Sequence, residues 1–342
     1  MDTAVLRNIN MDLVIEDRNI PVPGPDELII KQDMTGICYR DILTREGYFP
    51  RVKLPIVPGH EIAGHVYEIG SDVKDFKKGD YVASLIYEPC GKCEFCLSGR
   101  ENLCPQKKTY GEALDGAYSQ YVKVSERSLV RVPQNVPTES AVMAACVTGM
   151  IYHAIKVVGQ IKEGDRILIT GAGGGVGTNA INVAKALGAE VIAETSSKWK
   201  EDQLRKIGAD HVVEMSDHFA KDIKTLTGDG VHMVLETVGL ATFDQSLRSL
   251  RTAGKMIVIG NLRPEPVNLP LGNIILKGNS IHGSISSTRD DMKKVLDLTA
   301  AGKLGHVSDT HVDIYGINSA YKMIKERKVL GRVLIDFPNG KS

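Results

Sequence analysis

The stretch Ile167-Leu168-Ile169-Thr170-Gly171-Ala172-Gly173-Gly174-Gly175-Val176-Gly177 decides how the rest of the chain is read. An apolar segment gives way to a glycine-rich run, after which Val176, Ala180, Val183, Ala184 and Leu187 recur on one face of a helix. Strand, glycine turn and helix are what a dinucleotide pyrophosphate needs. Glycines admit close approach of backbone N–H groups, and the helix N-terminus adds partial positive charge. An ordinary strand-to-helix turn has the same outline, and the run is one residue longer than the plain G-x-G-x-x-G fingerprint. The flanks therefore have to decide.

On the C-terminal side the pattern alternates: strands at 166–170, 190–194, 211–214, 231–236, 255–260 and 279–284, with helices at 175–187, 199–207 and 242–251. No element is marked between 214 and 231. This predicts a doubly wound α/β domain with a parallel sheet. Helix 290–301, a strand at 310–313, helix 316–327 and a strand at 331–337 close the chain. On the N-terminal side, up to about Pro133, short apolar segments such as Glu27-Leu28-Ile29-Ile30 and Asp80-Tyr81-Val82-Ala83-Ser84 are punctuated by Pro and Gly, which predicts a partly open β-barrel-like domain. A helix over 138–158 is expected to hold the boundary.

With 342 residues the chain has room for two domains. Lys+Arg and Asp+Glu both number 42, so the balanced charge argues against nucleic acid or an anionic membrane surface and favours a small-molecule substrate. The opening Met1-Asp2-Thr3-Ala4-Val5-Leu6 lacks a basic-then-apolar leader pattern, and no apolar run approaches the roughly 18 residues of a membrane span. A cytoplasmic protein is expected.

Six cysteines are present. Four fall in Cys90-x2-Cys93-x2-Cys96-x7-Cys104, a thiolate set of the number a closed tetrahedral zinc site requires, so a structural metal pinning a lobe at about 88–106 is expected. Cys38 and Cys146 remain. Together with His60 of Gly59-His60-Glu61 they make a Cys2His set with one coordination position open, but their separations alone do not assemble it, since a lone Cys is commonly a small buried hydrophobe.

Gly59-His60-Glu61, the four-cysteine lobe and Gly171 to Gly177, in that order, resemble the zinc-containing alcohol dehydrogenase superfamily of medium-chain dehydrogenases/reductases. The resemblance spans essentially the whole chain. It implies a GroES-like catalytic domain at 1–146, a Rossmann domain at 147–284 and a return to the catalytic domain at 285–342. It implies two zinc ions, the catalytic one held by Cys38, His60 and Cys146 with Glu61 as an alternative ligand. Asp41 would orient the His60 ring. Arg332 would approach the cofactor diphosphate, Val238 and Gly260 would line the cofactor site, and Thr148 would touch the nicotinamide unless its hydroxyl only bonds the helix backbone. A homodimer or homotetramer paired through the sheet edge near Ile281 is likewise implied.

An NAD enzyme offers an acidic side chain at the tip of the second strand. Here Thr195 stands at that place, followed by Ser196, Ser197 and Lys198, whose hydroxyls and cation suit a 2′-phosphate, so NADP(H) is preferred. Ser196 and Ser197 also suit a helix N-cap, and Glu194 keeps NAD open. The reaction turns on Cys38-Tyr39-Arg40-Asp41. Alcohol dehydrogenases carry a Ser or Thr where Arg40 stands, and a guanidinium is a poor proton relay. The Tyr-Arg-Asp signature resembles the quinone-reductase and enoyl-reductase branch, and within it the acryloyl-coenzyme A reductases of archaea. That implies reduction of the C=C bond of a short 2-enoyl thioester, an acyl-CoA, with Tyr39 as a proton donor or as packing and Arg40 as a substrate contact or a structural ion pair. Interconversion of an alcohol with an aldehyde or ketone is the alternative.

Overall fold

The computed structural model describes residues 1–50, 52–262 and 265–337. Residues 338–342 of the expected C-terminal segment lie outside them. The chain divides into two compact units: Met1–Gly149 with Ser286–Gly302 and the chain from Ser308 onward, and Met150–Ile285 with Lys303–Val307.

The first unit is built on a five-stranded antiparallel sheet in the order Leu129–Arg131, Tyr81–Ser84, Ala63–Ile69, Glu27–Lys31, Tyr121–Ser125. Period-2 alternation sends Leu28, Ile30, Val66, Val82, Val122 and Val124 into one apolar cluster. A second, three-stranded sheet joins Thr310–Asp313, Val333–Asp336 and Met34–Ile37. Its middle strand runs antiparallel to Met34–Ile37 with Val333 opposite Ile37, so the returning C-terminal chain fixes the strand that leads into Cys38. The two sheets make the partly open, GroES-like barrel.

The second unit is a six-stranded, wholly parallel sheet in the order His211–Glu214, Glu190–Thr195, Arg166–Ile169, Val231–Glu236, Leu250–Val258, Ser280–Gly283. Helices pack against it through Leu168, Ile192, Phe219, Val234, Leu247 and Met256. The strand order reverses around Arg166–Ile169, which lies between Glu190–Thr195 and Val231–Glu236. That reversal opens a crevice at the carboxyl ends of Arg166–Ile169 and Val231–Glu236, the Rossmann arrangement.

Three local features depart from the sequence-based expectation. The helix expected over 138–158 is α-helical only at Thr138–Val142 and Met150–Tyr152, and widens to π geometry at Ala144–Gly149 and His153–Val158. Wide bonds such as Thr148 N–H to Met143 O (3.0 Å) mark the change. Helix Phe219–Thr227 fills the interval the pattern left blank, burying only Phe219, Ala220 and Ile223. Helix Leu271–Lys277 buries none of its residues. Among the described residues no helix is long and apolar enough to cross a membrane.

Phe219 is fully buried at the helix–sheet seam. Phe219→Ala is expected to cost the second unit about 3–5 kcal/mol, read as a lowered urea midpoint, because truncating a buried aromatic loses transfer energy and leaves a cavity. An unchanged midpoint would mean that the helix does not anchor the unit.

Candidate functional site

Cys38 is the residue that caps helix Tyr39–Arg45, and Asp41 occupies the third helical position, reaching back to the Cys38 N–H through Oδ2 (2.9 Å). The other carboxylate oxygen of Asp41 lies 3.0 Å from His60 Nδ1. That fixes the imidazole with Nε2 facing Cys146 Sγ, 3.2 Å away. Cys146 sits within the π-helical Ala144–Gly149, steadied by a Ser287 hydroxyl bond to the Ala145 carbonyl (2.9 Å), and its Sγ is 3.9 Å from Cys38 Sγ. The ligand atoms of Cys38, His60, Glu61 and Cys146 all lie within 4.8 Å of one another. The fold thus brings together four residues the sequence scatters over more than a hundred positions.

Glu61 is fully buried, and one of its oxygens meets the Arg332 guanidinium while Oε2 has no partner among the described residues. A Cβ on Gly36 would fall 1.8 Å from that oxygen, so only glycine leaves room for it. Arg332 Nη2 also lies 3.7 Å from Cys146 Sγ. The guanidinium, expected at a cofactor diphosphate, is placed in the first unit against Glu61, with Nε as its donor lacking a partner. Hydrogen bonding from Cys146, aided by Arg332 and His60, holds the Cys38 thiol well below the usual range despite burial. Cys146, as donor to Cys38 and buried, is pushed up. Burial depresses His60, but the Asp41 carboxylate outweighs it and raises the imidazole.

Around this cluster, Tyr118 donates its hydroxyl to Asp41 Oδ2 (2.7 Å), and the Tyr321 hydroxyl stands 3.4 Å behind it. No spacing in the sequence marks either tyrosine. Arg40 is pinned to Glu112 through both Nε and Nη2 (Nη2–Oε2 3.0 Å) and lies over the Phe49 ring at 4.7 Å. Of the two roles open to Arg40, this geometry is the ion pair. Tyr39 packs at the margin of an apolar cluster. Thr148 is buried and its hydroxyl bonds Met143 O (3.3 Å).

Cys90, Cys93, Cys96 and Cys104 form the second sulfur cluster, again within 4.8 Å, with 3.5 Å between Cys93 and Cys96 and 3.9 Å between Cys90 and Cys96. None is in a disulfide. The Lys92 backbone N–H pulls Cys90 down to about 6. Thiolates about 2.3 Å from a shared zinc stand about 3.8 Å apart, so both clusters fit a tetrahedral ion: four sulfurs and no vacancy in one, two sulfurs and an imidazole with a carboxylate alongside in the other.

In the second unit the glycine loop has the shape of a phosphate cradle. Gly174 precedes helix Gly175–Ala186, and a Cβ on Gly177 would fall 2.4 Å from Gly171 O, so the helix start and the loop pack backbone to backbone. Val176 follows Gly175 in the first turn. Glu194 turns inward, accepting from Gly171 N–H (2.9 Å), and is almost wholly buried. Lys200, which the sequence did not single out, donates to Gly173 O (2.8 Å). Thr195 Oγ1 accepts from Ser197 N–H (3.1 Å), while Ser196 and Lys198 are exposed. Val238 packs over Gly171, and Gly260 lies against Thr237 O, where a Cβ would come within 2.2 Å. Gly173 and its neighbours are thus ringed by the tips of three strands.

Two family models match: the alcohol dehydrogenase GroES-like domain over residues 24–134 and the zinc-binding dehydrogenase over 175–301. An acryloyl-coenzyme A reductase of Sulfurisphaera tokodaii is 44% identical over 322 residues, 94% of this chain and 95% of that protein. An alcohol dehydrogenase of Geobacillus stearothermophilus is 33% identical over 339 residues, covering 98% of this chain and 99% of its own. The solved structure of AibC superposes with a TM-score of 0.92 at 37% identity, covering 99% of this chain and 96% of that one. The chain belongs to the zinc-containing alcohol dehydrogenase superfamily of medium-chain dehydrogenases/reductases, and it is an oxidoreductase of that family's zinc type, which implies zinc and a nicotinamide cofactor.

Proposed function

We propose that this enzyme reduces the activated C=C bond of a short 2-enoyl thioester, an acyl-CoA, with NADP(H) and two zinc ions per chain. The observation that carries the reaction is Arg40, locked on Glu112 beside Cys38, where an alcohol dehydrogenase needs a hydroxyl to pass a proton. A guanidinium held in a bidentate pair has no proton to exchange near neutral pH. The 44% identity to an acryloyl-coenzyme A reductase supports the same conclusion.

In this assignment Cys38, His60 and Cys146 hold the catalytic zinc with Glu61 as the alternative ligand, and Cys90, Cys93, Cys96 and Cys104 hold the structural one. Bound zinc supplies Lewis acidity for the acyl oxygen and bound nicotinamide supplies the hydride for Cβ. Asp41 keeps the imidazole in the tautomer that presents Nε2 to the cluster. Arg332 neutralises Glu61, so the carboxylate does not hold an unpaired charge beside the substrate position. Tyr39 is the candidate donor for the Cα proton. Residues 1–146 and 285–342 carry this chemistry, with the lobe at 88–106, and residues 147–284 carry the cofactor.

For the cofactor, Glu194 is engaged on Gly171 N–H, which leaves Thr195, Ser196, Ser197 and Lys198 to face the ribose, a set that accepts a 2′-phosphate. Gly171, Gly173, Gly174, Gly175, Val176 and Gly177 would take the pyrophosphate. The protein is assigned to the cytoplasm as a homodimer or homotetramer. Among the described residues strand Ser280–Gly283 has a neighbour on one side only, and Leu271, Ile275 and Leu276 stand exposed on the helix that precedes it in the chain.

Alcohol–aldehyde interconversion is the second reading, favoured by the complete Asp41–His60 pair and by the 33% identical alcohol dehydrogenase. NADPH oxidation is expected to be at least about a hundredfold faster with acryloyl-coenzyme A than with acetaldehyde or benzaldehyde, a difference of about 2.7 kcal/mol in barrier. Faster turnover of the aldehydes would reverse the assignment. At equal concentration NADPH is expected to outperform NADH about tenfold or more in kcat/KM, and a preference for NADH would sink the choice of cofactor. Cys38→Ser is expected to lower zinc from two to one per chain by atomic absorption, with activity falling about a hundredfold or more; unchanged metal content would refute the ligand set.

A further inference from the structure

The crevice at the strand reversal has two lips, and one buried carboxylate holds both. Glu236, the last residue of strand Val231–Glu236, is fully buried and has no cationic partner among the described residues. Its Oε1 accepts from Thr170 Oγ1 (3.0 Å), Val238 N–H (2.9 Å), Gly239 N–H (2.9 Å) and Thr242 Oγ1 (2.7 Å). Its Oε2 accepts from Ser246 Oγ (2.6 Å). Its backbone carbonyl accepts from Ile259 (3.0 Å) and Gly260 (3.3 Å) N–H groups.

These donors come from different elements. Thr170 is the residue before the glycine loop; Val238 and Gly239 form the loop after Val231–Glu236; Thr242 and Ser246 belong to the start of helix Phe243–Ser249. Thr237 closes the ring, donating its N–H to Thr170 Oγ1 (2.9 Å) and its hydroxyl to Thr170 O (2.8 Å). Val238 then lies against Gly171 itself. Burying a carboxylate without a cation is costly unless several donors surround it, and here they do.

We propose that Glu236 is a positioning residue for the dinucleotide, fixing the loop 237–239 relative to the glycine loop so that the far half of the cofactor meets a preset surface. In a sheet of this order the pyrophosphate sits on the first lip and the adenosine ribose goes to the tip of Glu190–Thr195, so the half beyond the pyrophosphate falls to the side of Val231–Glu236. A loop held rigid before binding costs less ordering entropy when the ligand arrives. The requirement is for hydrogen-bond acceptance rather than charge. A glutamine in the same pose keeps its amide oxygen for the four donors at Oε1 and turns its NH2 toward the Ser246 hydroxyl oxygen.

The proposal rests on the assignment of a nicotinamide dinucleotide to this crevice, and the test separates the two. Dissociation constants are measured without substrate for NADPH by its own fluorescence, and for 2′-phospho-ADP-ribose, which lacks the nicotinamide base, by calorimetry. Glu236→Met is expected to weaken NADPH about tenfold, about 1.4 kcal/mol, and 2′-phospho-ADP-ribose less than about threefold. Glu236→Gln is expected to stay within about threefold of the unsubstituted protein for both. Equal losses for the two ligands, an unaffected Met variant, or a Gln variant as weak as Met would each overturn the proposal. If Glu236→Met does not fold, Thr242→Val removes a single donor and is expected to weaken NADPH about threefold with 2′-phospho-ADP-ribose unchanged; no difference between the ligands overturns the proposal. An unsubstituted protein that bound neither NADPH nor NADH would overturn the cofactor assignment, and the proposal with it.

Discussion

The first unit depends on the Asp41 carboxylate. It is buried, and it receives the Cys38 N–H, the His60 ring and the Tyr118 hydroxyl at 2.9, 3.0 and 2.7 Å. Because it reaches back from the third helical position to the capping residue Cys38, the same bond that secures the helix start sets where the thiol stands relative to the imidazole. The thiol is in turn placed by strand Met34–Ile37, which is paired with Val333–Asp336 from the far end of the chain. The site is therefore assembled by long-range strand pairing and then tuned by one local cap. Replacing Asp41 by an apolar residue would release three donors at once, which is why its effect cannot be divided among them.

The second unit works by a different means. Its candidate ligand contacts come from backbone held in shape: a glycine loop at a helix start, and a loop whose N–H groups are turned onto Glu236. Side chains serve there as struts. Glu194 holds Gly171 and Lys200 holds Gly173, from the strand and segment that follow next in the chain. Charge is thus spent on fixing backbone geometry in this unit and on building a donor set in the other.

What the sequence disclosed follows this division. The glycine run and the four close cysteines are local patterns: spacing alone carries the chemistry of the cysteines, and the strand and helix flanking the glycines carry that of the loop. Cys38, His60 and Cys146 come together only through sheet pairing and the π-helical turn at Ala144–Gly149, so the residues alone did not assemble them and the family resemblance had to. Arg332 illustrates the limit. The resemblance implies a diphosphate contact for it, while its burial against Glu61 is a separate feature that nothing in Gly331-Arg332-Val333 marks. Helix Phe219–Thr227 is not legible in the sequence because its apolar face is only Phe219, Ala220 and Ile223, too short a stripe to stand out from the polar residues between them. Tyr118 and Tyr321 carry no spacing signal, since a second layer of hydrogen bonds is set by packing.

The two sulfur clusters also differ in electrostatics in a way that suits the proposed roles. Four thiolates around a dication leave two negative charges, a poor Lewis acid but a firm staple for a lobe with little core. Two thiolates and a neutral imidazole leave none, so negative charge growing on a substrate oxygen meets no excess of like charge. A free Glu61 carboxylate would spoil that balance and compete for the open position. Arg332 removes the conflict by taking one of its oxygens, and Gly36 gives the other a place to stand. The buried Glu61–Arg332 pair is costly as a contribution to stability alone. Its position beside Cys146 makes sense as the means by which an acid next to the Cys38, His60 and Cys146 set is kept neutral in sum and still within reach.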